Sequence, residues 1–174
     1  MNKLYHLQVV LIALIAISSG CKVAVRTFPT KKATNIGVEM GFRKGVIFTA
    51  DYPILHLALP GVDPSKRFTP TKKDIEETNL IFREQVIGTG KAHLNHYENY
   101  PVGINLNKYF MQYAGFINAR GEKIIHINYV WKERGEDYFN SEYLSIHDGG
   151  NNYWQLNINL TTQRVISLWV NGMG

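Results

Sequence analysis

Two spacings of apolar residues divide the chain. Over residues 71–88 they recur at helical intervals, with Ile75, Thr78, Phe82 and Val86 on one face and Ile81 and Gln85 beside it. Thr71 is placed to cap this helix, Asp74 stands three residues on in the reciprocal position, and Gly88 is the stop. Leu80 and Ile87 fall off the stripe, which predicts cover on more than one side. From Tyr109 the period becomes two. Residues 109–118 and 123–131 predict a hairpin about 119–122, and 143–147 a third strand. In 153–160, Trp154, Leu156, Ile158 and Leu160 alternate with Tyr153, Gln155, Asn157 and Asn159. Residues 164–170 return with Ile166, Leu168 and Val170 on one face. Ahead of the helix, Val38, Met40 and Phe42 alternate as in a half-buried strand returning through 46–48, and 54–59 is a strand between prolines. Burying the helix stripe on the sheet predicts an α+β fold: one helix packed on a curved antiparallel sheet of four or more strands.

The first twenty residues follow another logic. Lys3 is their only charge, 9–17 is an unbroken apolar run of nine, and Ser18, Ser19 and Gly20 are small. A helix that crosses a bilayer needs about 20 apolar residues, whereas the core of a cleavable export signal needs about 7–15. Residues 1–20 therefore read as a signal peptide, 21–37 as a tether with room for one short strand, and 38–174 as a single domain. Cys21 is the only cysteine, so no internal disulfide is available, and covalent lipid on its sulfur accounts for a lone thiol in an exported chain. The expected partner is a membrane, held through the lipid on Cys21.

Charge is uneven. Residues 22–73 carry ten Lys/Arg against three acids, and 74–174 carry eight against eleven. The basic part adjoins Cys21, where anionic head groups attract it. No helix-turn-helix, zinc or RNA-binding signature accompanies it, so nucleic acid is not an expected partner.

Candidate chemistry is sparse. His93, His96 and Glu98 supply three of the ligands that zinc takes, with no fourth placed, and would serve a small metal-dependent hydrolase. Ser145, His147 and Asp148 lie too close along one strand for a triad and lack a nucleophile elbow. Glu133, Glu136 and Asp137 share one charged loop without a carboxylate across a cleft. No catalytic set and no cofactor is expected from these patterns. Trp154 shares parity with the core, whereas Tyr153 and Trp169 fall on the opposite parity of neighbouring strands. Two outward aromatics there make either a recognition surface or a cross-strand pair. The function expected is a non-enzymatic envelope module that binds a protein or peptide, with the metal-dependent hydrolase as its alternative.

The order Ser18-Ser19-Gly20-Cys21 resembles a lipobox, although Ser18 stands where leucine is usual. The segments YAGFI (113–117), GEKIIHIN (121–128), DGGNNYW (148–154) and the closing Val170-Asn171-Gly172 resemble a group of uncharacterised Bacteroidetes lipoproteins. The resemblance spans about 70–174. It implies palmitate-type acylation, and the helix-then-meander order is similar to the cystatin-like arrangement. In that group acidic residues after the cysteine direct export to the cell surface. Lys22-Val23-Ala24-Val25-Arg26 is not acidic, which implies an outer-membrane anchor facing the periplasm.

Overall fold

The computed structural model describes residues 23–54, 62–87, 105–132 and 140–172. Eight strands form one sheet: β1 (Val25–Pro29), β2 (Asn35–Met40), β3 (Arg43–Phe48), β4 (Val62–Phe68), β5 (Tyr109–Asn118), β6 (Lys123–Trp131), β7 (Tyr153–Asn159) and β8 (Arg164–Val170). Their order is β1-β2-β3-β5-β6-β7-β8. All neighbours are antiparallel except β3 and β5, which run parallel from Lys44 opposite Phe110 to Phe48 opposite Ala114. β4 takes the same edge of β5 further on, pairing Arg67 with Phe116 and Phe68 with Gly115. A side chain at Gly115 would meet the Phe68 carbonyl at 2.5 Å, so this close approach needs a glycine. The helix α1 (Lys72–Phe82) continues as a π-helical turn, Arg83–Ile87. The architecture is α+β, one helix on an open, mainly antiparallel sheet in a cystatin-like arrangement.

The cap of α1 forms as its residues predict. The Thr71 hydroxyl accepts from the Asp74 amide at 3.2 Å, and the Asp74 carboxylate accepts from the Thr71 amide at 2.8 Å. Ile75, Ile81, Phe82 and Val86 pack on the first face of the sheet among Met111, Tyr129, Trp154 and Leu156. At the centre Tyr129 and Trp154 stack with ring centroids 3.5 Å apart, and Phe82 lies 6.1 Å from both. Leu80 and Ile87 stay 46% and 44% exposed, so the cover expected for them is absent among the described residues.

The hairpin β5–β6 has the predicted bounds because uninterrupted alternation ends at a compact turn. Asn118 Oδ1 there accepts from the amides of Arg120 and Glu122. Elsewhere the structure corrects the sequence. The one short strand allowed for in 21–37 is Val25–Pro29, but β2 also starts there, at Asn35; the two pair antiparallel, and Val25 is buried. Phe42 is not on the strand but in the β2–β3 turn. Residues 143–147 are not a strand. Ile166 leaves the face of Leu168 and Val170, because the register slips between Asn157 and Ile158, opposite Ser167 and Val165. That bulge turns Val165 to the core and Ile166 outward. The strand expected over 54–59 lies outside the described residues apart from Ile54, which is buried and not in a strand.

Candidate functional site

The second face of the sheet is apolar at its rim and polar at its centre. Phe48, Phe110, Phe116, Ile124, Val130 and Tyr153 form an apolar cluster there, and Gln112, His126 and Asn128 are buried on the same strands. The polar groups hold the segment 140–148, which crosses this face as a strap. Gln112 Nε2 donates to the Glu142 carbonyl at 2.8 Å, and its Oε1 accepts from the Leu144 amide at 3.1 Å. Asn128 Nδ2 donates to the Leu144 carbonyl at 2.8 Å. Asn35 reaches the carbonyls of Asn140 and Ser141, Asn171 reaches that of Ile146, and the Tyr143 amide donates to the Tyr52 hydroxyl. Side-chain amides thus satisfy backbone groups that a neighbouring strand would otherwise pair. This is why 143–147 keeps a strand-like sequence without joining the sheet.

His126 sits at the middle of this network. Asn157 Nδ2 donates to Ser167 Oγ at 2.8 Å, which leaves its oxygen to accept from His126 Nδ1 at 2.8 Å. Nε2 then accepts from the Tyr143 hydroxyl at 2.7 Å, so the bonding pattern assigns the neutral ring with its proton on Nδ1. Burial, with the nearby Arg67 charge, pulls the imidazole down to about 4 despite the support of Asn157. Burial likewise raises the Tyr143 phenol. Arg67 is itself held by carbonyls: Nε donates to Gly115, Nη1 to Tyr52, and Nη2 to Phe48 and Thr49, with the guanidinium 4.9 Å from the Phe116 ring centroid. Burial depresses its ordinary value. These groups are spent on structure. With both ring nitrogens engaged and the side chain fully covered, His126 has no route to a substrate.

The accessible chemistry lies along β8. This strand ends the sheet, and no described strand pairs beyond it. The Asn171 amide bonds to the Tyr153 carbonyl, so by alternation Leu168 and Val170 turn their backbone groups outward. Residues 165–170 contain neither a charge nor a proline. Trp169 and Ile166 stand on this strand 50% and 49% exposed. Ile166 also borders an open basin of about 660 Å³, floored by Val62, Ile124 and Val165 and rimmed by Arg120, Arg164 and Thr162. Glu122 holds Arg120 at 3.0 Å and accepts from Asn118 and Asn159, and these bonds keep its carboxyl below the usual range.

The residues expected to bind do not fare alike. Trp169 is accessible as predicted, but Tyr153 is buried and is no part of an outward aromatic pair. A side chain at Gly149 would meet the Tyr153 ring at 2.6 Å, so the ring lies under the Gly149 backbone, which packs it into the second-face cluster. Ser145 and His147 are exposed, and neither joins the His126 network. Among the described residues no group of three His, Cys, Asp or Glu is placed to hold a metal ion. His93, His96, Glu98, Cys21 and the acids Glu133, Glu136 and Asp137 lie outside the described residues. Sequence reading missed Ile166, hidden by the bulge, and the Gln112–His126–Asn128 centre. The signal for the latter was present, since polar residues there recur at strand parity between Phe110 and Ala114 and between Ile124 and Val130. No protein-family model, curated protein or solved structure matches this chain.

Proposed function

We propose that this chain is an envelope lipoprotein, anchored through lipid on Cys21, whose domain binds an extended segment of a partner protein along β8. The observation that carries the binding half is the outer edge of β8 beyond Val165, whose amide Gln85 takes: Leu168 and Val170 turn their backbone groups outward there, with Trp169 and Ile166 exposed on the strand. An extended peptide added to such an edge gains main-chain hydrogen bonds, and exposed side chains on the strand select its sequence. The anchor half is supported by the charge, apolar run and small residues that precede a single cysteine. The buried and fully bonded His126 favours a binding role over catalysis at the sheet centre.

Selection of random peptides displayed on phage against the purified protein tests the binding. Enriched peptides should share an alternating apolar pattern, and Trp169→Ala should weaken them about tenfold or more, as expected of a central aromatic contact. Enrichment of nothing, or of peptides indifferent to both Trp169→Ala and Ile166→Lys, rules this reading out. Mass spectrometry of the native N-terminus tests the anchor, because an unmodified Cys21 removes it.

A further inference from the structure

Phe42 is 87% exposed, more than any other large apolar side chain described, and belongs to neither core cluster. It occupies the two-residue turn between β2 and β3, after Gly41 at φ +58°. Only Gly41 needs the left-handed conformation, and the second turn position accepts many residues, so the backbone gives no specific reason for a phenylalanine at this tip. The turn lies against the start of the described chain: a side chain at Gly41 would come 3.8 Å from Val23 Cγ1. Cys21 is two residues before Val23. Consecutive Cα atoms are about 3.8 Å apart, so two residues of chain span at most about 8 Å. A surface that receives the lipid on Cys21 is therefore brought up against the β2–β3 turn.

The charges at this corner match an anionic surface. Arg26, Glu39 and Lys44 stand in one row across β1, β2 and β3, two basic residues to one acid, with Arg26 on Glu39 at 3.0 Å. Lys22 adds a further basic residue beside Cys21. At the same end of the sheet, by the pairings Lys44 with Phe110 and Tyr109 with Trp131, Lys108 Nζ lies 4.9 Å from the Trp131 ring centroid. Basic side chains around an exposed aromatic are what a bilayer interface selects.

We propose that this corner is a bilayer-contacting surface, with Phe42 entering the lipid interface and Arg26 and Lys44 at head-group level. The proposal rests on the lipid-anchor reading and adds to it a fixed orientation of the domain, with the β5–β6 and β7–β8 turns directed away from the membrane. The chain's single cysteine allows a direct test. Full-length protein is purified from its membrane, reconstituted in phosphatidylcholine–phosphatidylglycerol vesicles and treated with a thiol-specific spin label. Parent, Phe42→Cys and Thr162→Cys proteins are compared, the last at the opposite end of the sheet. A lipid-blocked Cys21 leaves the parent unlabelled. In Phe42→Cys the label should then collide more often with oxygen than with a water-soluble nickel complex, and the order should reverse in Thr162→Cys. A label at 42 that meets the nickel complex freely overturns the proposal while an unlabelled parent preserves the anchor. A label at 42 shielded from both quenchers indicates a protein contact and also overturns it. Labelling of the parent itself withdraws the anchor and the proposal together.

Discussion

At residue 126 an ionisable ring is enclosed without a counter-charge, and stability must register it. The unfolded chain takes a proton on His126 near its ordinary value of 6.5, whereas the folded chain resists until about 4. Between those values the unfolded state binds more protons, so stability falls as pH falls, by up to about 1.4 kcal/mol per pH unit for one such group. Urea midpoints should drop between pH 6.5 and 4.5 in the parent and drop less in His126→Gln, and parallel profiles would refute the assignment. Gly149 offers a second residue-scale test. Its φ of +96° suits glycine, and an added Cβ would strike the Tyr153 ring. Gly149→Ala should cost about 1–3 kcal/mol in denaturant unfolding. An unchanged midpoint would mean that Tyr153 is not pinned there.

Among the elements, the strap is the part whose stability depends on side chains. Gln112→Leu keeps the volume roughly but removes the partners of the part-buried Leu144 amide and of the carbonyl of exposed Glu142, at about 1–3 kcal/mol in all. Hydrogen exchange at Leu144 should accelerate far more than exchange within β6, and a Leu144 amide that keeps its parental rate would contradict the strap. The same segment shows where reading from sequence stops. β5 and β6 were legible to the residue, because alternation and an Asn-anchored turn are local signals. The α1 cap was legible from Thr71 and Asp74 for the same reason. Residues 143–147 carry strand-like alternation, but their backbone partners are side chains distant in sequence, those of Tyr52, Gln112, Asn128 and Asn171. Ile166 was misassigned because a bulge shifts parity without a marker in composition. The parallel join of β3 to β5 rests on contacts between segments some sixty residues apart, to which no local pattern points.

For the molecule as a whole, the two ends of the sheet are unequal. β1 carries Arg26, bridged to Glu39, and Pro29, devices that discourage unintended pairing, whereas on β8 the bulge and Gln85, which takes the Val165 amide, guard only the start of the edge and leave Leu168 and Val170 without such a device. Ile166→Lys should leave unfolding free energy within about 0.5 kcal/mol, since the side chain is half exposed. It should also lower light scattering in concentrated solution. Scattering that persists undiminished would show that β8 is not the adhesive edge. β5 has no comparable exposure, since β6 covers one of its edges and β3 and then β4 share the other. That shared edge has a temporal corollary. A chain made from its amino end completes β1, β2 and β3 well before the strand that closes them exists, so nascent protein carries an unsealed ribbon while residues 49–109 are added. Until β5 arrives, the flank of β3 is as open to strangers as β8 is in the finished fold, and any holding chaperone for this protein has its natural substrate there.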